Sequence, residues 1–237
     1  MSAFKKMVLV VAMLAFPAAV LAMTPYSQDF EGMDPAYAGA LADDGWLVYG
    51  NVFGPDWAYW YGYGPYPAPN GGNGFSAVVT GQGGMEQGAN QLSVYNDYNN
   101  ADHANGAHIE ANVYREQVVA AEDIGLTWYF EFEAKRGNIE GATTALAFIK
   151  TLDPNSGYTM TNFITADMTS IPDTWGAFTL EILIDADLVG QILQIGFAST
   201  ATAYEGSGIF YDNINFSAEP PTPTESSSWG EVKSLYR

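Results

Sequence analysis

The chain has 237 residues, with 8 Lys plus Arg against 27 Asp plus Glu, two His, no Cys, 6 Trp, 15 Tyr and 13 Phe. A formal charge of -19 repels polyphosphate and bare anionic membrane surfaces alike, which excludes nucleic acid as a partner. The lack of cysteine removes disulfides, thiolate metal sites, cysteine nucleophiles and a lipidated N-terminal cysteine.

Residues 1–22 read as a secretory leader, which predicts an exported, secreted or cell-surface protein. Lys5 and Lys6 form its basic region, Met7 to Leu21 is apolar apart from Pro17, and Val20-Leu21-Ala22 is a small-residue cleavage site. The apolar run is shorter than the roughly 20 residues a spanning helix needs and holds a proline, so a membrane anchor is disfavoured. No later segment reads as a transmembrane helix. An exported chain without cysteine must be held by its core and by any metal it binds.

Residues 23–218 are predicted to form one all-β domain, an antiparallel β-sandwich of jelly-roll type with long aromatic and Asx-rich loops. The aromatic loop is 54–74, GPDWAYWYGYGPYPAPNGGNG, which carries Trp57, Tyr59, Trp60, Tyr61, Tyr63 and Tyr66. Flat aromatic rings stack on the CH faces of sugars, so this loop is a candidate glycan platform. The alternative is a lid of inward rings over the sandwich end, and the balance predicts two or three rings inward with one or two exposed. The Asx-rich loop follows, with Asp97, Asn99, Asn100, Asp102, His103 and Asn105. Its oxygens suit calcium or sugar hydroxyls and His103 is a candidate donor to a hydroxyl, although such loops also satisfy their own backbone through Asx-turns.

Strands are expected at 91–96 and 107–117, and period-2 alternation marks the clearest one at 126–135. There Trp128, Phe130, Phe132 and Ala134 point one way, Tyr129, Glu131, Glu133 and Lys135 the other. Further strands are expected at 144–151 and 191–200, with Phe178, Leu180, Ile182 and Ile184 forming one face of another. Phe210, Asp212, Ile214 and Phe216 are predicted to share one face of the last. Turns are placed at 136–138, 153–157, 171–173 and 205–208. The only helical stripe is a short one at 117–123.

Residues 219–228, EPPTPTESSS, read as an extended linker. Beyond it Trp229, Val232 and Tyr236 fall on one helical face of 229–237, too short to be a stable helix alone. This C-terminal tag reads either as a frayed end or as a docking peptide for a sorting or surface-attachment machine.

The opening Asp29-Phe30-Glu31-Gly32, followed by Asp44-Gly45-Trp46, resembles the start of the galactose-binding-like jelly-roll carbohydrate-binding modules. The strand Tyr129 to Lys135, the Trp175 and Phe178 pair, and the closing Gly208-Ile209-Phe210-Tyr211-Asp212-Asn213-Ile214 are similar to later strands of the same family. The likeness spans roughly 26–217 and is interrupted by insertions at 54–74 and 97–106. It implies a structural calcium ion tying the first strand to the last, at Glu31 and Asp212, with Asp29 and Asn213 as secondary ligands. A hard cation would offset repulsion between carboxylates brought together there. The alternative leaves Asp212 bonded to a turn and Glu31 a solvated edge charge.

Catalysis is not expected. Glu131 and Glu133 share a strand face without any hydrolase pattern, and no G-x-S-x-G, P-loop or H-E-x-x-H motif occurs. Three functions follow in order: a secreted glycan binder, a structural surface or matrix protein that assembles through this domain, and a small polysaccharide lyase or hydrolase. The negative charge favours neutral glycans unless calcium bridges to acidic ones.

Overall fold

The computed structural model describes residues 22–66 and 75–220. The leader up to Leu21, most of the linker and the whole 229–237 tag lie outside them. Twelve strands are described in chain order: β1 (Tyr26–Gln28), β2 (Leu47–Phe53), β3 (Tyr59–Tyr63), β4 (Ala77–Thr80), β5 (Asn90–Val94), β6 (His108–Val118), β7 (Thr127–Ile139), β8 (Thr144–Asp153), β9 (Thr159–Asp167), β10 (Gly176–Leu183), β11 (Ile192–Ala201) and β12 (Ser207–Ser217). Among the described residues a single short α-helix, Ala40–Asp43, precedes β2. None of the described helices is long and apolar enough to cross a membrane.

The strands form two six-stranded antiparallel sheets, which is the sandwich expected of the sequence. Sheet A runs β10-β7-β12-β5-β4 with β1 also on β12, and sheet B runs β3-β2-β6-β11-β8-β9. Their inner faces meet in a core where Phe197 stacks on Tyr211 at 3.7 Å and on Trp46 at 6.4 Å. Trp46 is held at the sandwich edge: its Nε1 donates to Tyr26 Oη at 2.9 Å, Tyr26 donates to Asp44, and Asp44 pairs with Arg115. The predicted alternation of β7 is borne out, with Trp128, Phe130, Phe132 and Ala134 all buried.

Three local expectations are corrected. Residues 136–138 are not a turn but the continuation of β7, because Gly137 lets β12 come close; a Cβ there would stand 2.7 Å from the Gly208 carbonyl oxygen. In β12 the four-residue face breaks at a β-bulge, where Asn213 takes φ +47° and the register with β7 shifts between Asp212 and Asn215. Ile214 and Phe216 therefore join Ile209 and Tyr211 in the core, while Phe210 and Asp212 face the other side. The aromatic segment is not all loop, since 59–63 pairs with β2 as the edge strand β3, in line with the strand preference of Tyr and Trp. The stripe at 117–123, too short for a helix, is taken up by β6 as far as Val118 and then by a single 3-10 turn.

Candidate functional site

Strand β6 runs through sheet B with Ile109, Ala111 and Val113 buried inward, so His108, Glu110, Asn112, Tyr114 and Glu116 stand on the outer face. Register extends each of them into a row across the sheet. Tyr114 lies between Leu47 of β2 and Gly196 of β11, which in turn faces Phe148 of β8. Glu116 begins a row through Gln194 and Lys150 to Phe163, and Glu110 pairs with Asn51.

These side chains hold one another. Glu110 Oε1 accepts from Asn51 Nδ2 at 2.9 Å and from Asn112 Nδ2 at 2.7 Å, and Glu116 Oε2 accepts from Gln194 Nε2 at 2.8 Å. The Lys150 ammonium sits 5.0 Å from the Phe148 ring centre and 5.8 Å from that of Tyr114, within cation–π range. Burial pushes the Lys150 pKa down, while Glu110 and Glu116 oppose the shift. Burial, then Glu116 and Tyr49, push Tyr114 up to about 12, so its hydroxyl stays protonated at neutral pH and remains a donor. Phe148 is 1% exposed yet lies outside the core cluster, packed against Phe163 on this outer face. Gln194 Oε1 is buried without a partner among the described residues. The outcome is a preorganised strip of rings, amides and carboxylates.

The aromatic segment extends this strip at one end. Trp57 stacks on His108 at 3.9 Å with 7° between planes, and Tyr59 meets Phe53 at 5.7 Å. Trp57, Tyr59, Trp60, Tyr61 and Tyr66 are all at least 40% exposed, and only Tyr63 tucks against the core. The expected balance of mostly inward rings is thus reversed, because β3 is an edge strand with little to pack on.

The two insertions meet. Tyr61 donates to Asp102 Oδ2 at 2.7 Å, Tyr63 donates to Asp97 Oδ2 at 2.8 Å, and Asn100 Nδ2 reaches both hydroxyls at 3.2 and 3.3 Å. Asn99 is exposed beside them, its main-chain N–H turned back to Asp97 Oδ1. His103 does not face a ligand, which corrects its expected role. It is 1% exposed, its Nε2 lies 3.1 Å from the Asp97 carbonyl, and its Nδ1 accepts from Tyr204 N at 3.4 Å. Those partners assign the neutral ring with its proton on Nε2, and burial pushes its pKa down.

A second polar centre lies on sheet A. Asp212 faces Glu133 in register, its Oδ1 accepts from Asn213 N at 2.7 Å, and its Oδ2 is buried without a partner among the described residues. Burial first, then Glu133 and Glu31, raise its pKa to about 7, against the hydrogen bonds from Asn213 and Gln91. Glu31 Oε1 accepts from Ala89 N and Asn90 N at 2.7 and 2.6 Å. Asp29 accepts from Glu31 N at 3.1 Å in its own turn, and Asn213 Nδ2 donates to Glu133 Oε2 at 2.6 Å and to the Glu86 carbonyl. No set of three acidic or histidine side chains is gathered for a metal among the described residues. The orphaned Asp212 oxygen, repelled by two neighbouring carboxylates, is the one observation here that fits a hard cation.

Sequence reasoning missed the β6 face. The signal was present as the alternation His-Ile-Glu-Ala-Asn-Val-Tyr-Arg-Glu over 108–116, but its rows through Asn51, Gln194 and Lys150 depend on strand order. Glu110 and Glu116 are six residues apart on one strand, roughly 20 Å at about 3.3 Å per residue, which is too far for the opposed carboxylates of a glycosidase, about 5–10 Å apart.

No protein-family model matches the chain, and no curated protein matches it. Solved structures that it resembles include the CBM22-2 xylan-binding domain of Paenibacillus barcinonensis Xyn10C, at 14% identity and TM-score 0.45, covering 82% of this chain and 99% of that one. The Stig cyclase Fisc from Fischerella sp. matches at 14% identity and TM-score 0.47, covering 84% and 100%. The enzymatically active domain of tailspike protein 4 from bacteriophage CBA120 matches at 14% identity and TM-score 0.45, over 77% of this chain; the chain spans 20% of that one.

Proposed function

We propose that this protein is an exported, non-catalytic carbohydrate-binding protein whose glycan lies on the outer face of sheet B, along β6. The observation that carries the reading is the group Glu110, Asn112, Tyr114, Glu116, Gln194 and Lys150 on neighbouring rows of that face, where Asn112 donates to Glu110, Gln194 donates to Glu116 and the Lys150 ammonium stands over Tyr114. Sugar rings need a flat apolar surface for their CH faces and fixed donors and acceptors for their hydroxyls. Tyr114 supplies the first, and the amides and carboxylates the second. Trp57 and Tyr59 continue the strip toward β3, which favours an extended polymer over a single sugar.

Calcium belongs to this reading as a structural ion at Glu31 and Asp212. The ion would supply the positive charge that the orphaned Asp212 oxygen lacks, and those two side chains would hold it. Export through residues 1–22 and docking through 229–237 are further parts of the same proposal.

Affinity electrophoresis of the exported chain in calcium, through gels holding neutral and acidic polysaccharides, tests the reading. Retardation by one polymer, lost in Tyr114→Ala, supports it. Uniform mobility through every gel overturns it. A second reading, assembly of copies into a surface layer, is favoured by the exposed rings of the edge strand β3, and predicts a mass in solution that grows with concentration.

A further inference from the structure

Met23 is built into the domain, whereas Ala22 before it is exposed. The Met23 side chain is 5% exposed and belongs to the core. Its main-chain nitrogen donates to both oxygens of Asp123, at 3.3 and 3.1 Å. Thr24 is clamped next to it, its N–H donating to Gln117 Oε1 at 2.7 Å and its carbonyl accepting from Gln117 Nε2 at 2.8 Å.

Asp123 is 1% exposed, and the other donor to it is the neutral Ala120 N–H at 3.0 Å. The adjoining cleft, about 540 Å³, is lined by Glu122, Glu131 and Glu219, and no Lys or Arg is among its lining residues. The one ion pair among the described residues is Arg115 with Asp44, so no described basic side chain neutralises Asp123. A carboxylate taken out of water needs a cation, or it carries a large desolvation penalty.

We propose that Asp123 is the receptor for the α-ammonium that forms on Met23 when the leader is removed. The inference rests on reading residues 1–22 as a leader, whose small-residue end at Ala22 falls one residue before the first buried side chain among the described residues. An export-associated endopeptidase adds water across the Ala22–Met23 peptide bond. The Ala22 carbonyl carbon takes the hydroxyl, and the Met23 nitrogen takes the hydrogen and then a solvent proton. The new ammonium keeps its hydrogen bonds to Asp123 and adds the missing charge, making them charge-assisted. The uncut chain offers Asp123 only an amide. Leader removal therefore completes a buried ion pair and tightens the fold that is delivered outside.

The test begins with N-terminal sequencing of the full chain after export. Met23 is the expected first residue, and any other first residue overturns the proposal through its processing step, whatever Asp123 does. Protein released from a fusion with Met23 first is then compared with protein that keeps Ala22. Retaining Ala22 is expected to lower Tm by roughly 5 °C and to let an amine-acylating reagent label the N-terminus at least about tenfold faster, since the amine outside the ion pair is no longer held protonated by a carboxylate. Asp123→Asn is expected to lower the Tm of the Met23-first chain more than that of the extended one. Equal Tm and equal labelling rates for the two chains overturn the ion pair even where processing at Met23 is correct.

Discussion

The outer faces of the two sheets carry similar chemistry put to different use. On sheet A, Glu133 accepts from Gln87 and Asn213, Glu131 accepts from Asn215, and Lys135 stands 5.4 Å from the ring centres of Trp175 and Phe210. On sheet B, Glu110 and Glu116 accept from amides and Lys150 stands over two rings. The difference is that sheet A draws on partners from outside the sheet as well: Asn213 and Asn215 are β12 residues, but Gln87 is not. Gln87, Glu86 and Trp175 belong to connecting segments, tied together as Trp175 donates to the Gln82 carbonyl, so the sheet A groups fasten loops over their own face. Asn51, Asn112 and Gln194 are strand residues of sheet B itself, so that face is ordered without being covered by them. A carboxylate–amide pair leaves its face open to a ligand only when its partner does not also roof it.

The largest effect that sharpens this contrast is on Asp212, under the roofed face. Its folded pKa of about 7 lies above the ordinary carboxylate value, so the fold favours the neutral acid. Stability in EDTA is therefore full below the ordinary value and lost as pH rises through about 7, by at most about 4 kcal/mol at 1.36 kcal/mol per unit. Asp212→Asn should flatten that slope in thermal melts. Calcium should restore the loss at pH 8, because a ligand of the folded state stabilises it by mass action; a melt unmoved by calcium or EDTA removes the proposed ion.

Next in size is Tyr114→Ala on the open face. A central aromatic anchor is worth at least about 2 kcal/mol, roughly thirtyfold in Kd, and titration calorimetry should show that loss with Tm little changed. Glu133→Ala should do the reverse, destabilising by about 1–3 kcal/mol as two amides lose their acceptor, with glycan affinity intact. If Glu133→Ala weakens binding and Tyr114→Ala does not, the assignment of the two faces is wrong. The smallest effect belongs to Tyr61→Phe, which removes an exposed hydrogen bond to Asp102 and should cost no more than about 1 kcal/mol in chemical denaturation.

Much of the fold was legible because it is written in period-2 alternation. The inward faces of β7 and β10 could be read residue by residue, since each follows an unbroken strand. β12 could not, because a bulge at Asn213 costs nothing visible in the sequence and yet reverses the face of every residue beyond it. Gly137 was likewise ambiguous. Glycine serves both a turn and a close approach between strands, and only the position of Gly208 decides between them.

The site divides in the same way. Sequence identified the aromatic and Asx-rich insertions as unusual, and their residues do meet through Tyr61, Tyr63, Asp97 and Asp102. It misjudged His103, since a histidine in a polar loop gives no sign that Tyr204, about a hundred residues later, will cover it.

What the sequence determined by itself was the acidic charge, the all-β class, the core residues of the regular strands, and the segments rich in rings and amides. These are local properties, set by composition and by neighbours one or two residues apart. The tertiary structure alone decided which polar row became an open face and which was roofed. That outcome depends on β6 lying between β2 and β11 and on a connecting segment crossing sheet A. Pairings between residues as far apart as Glu116 and Gln194 follow from strand order, and strand order is a property of the packed chain as a whole.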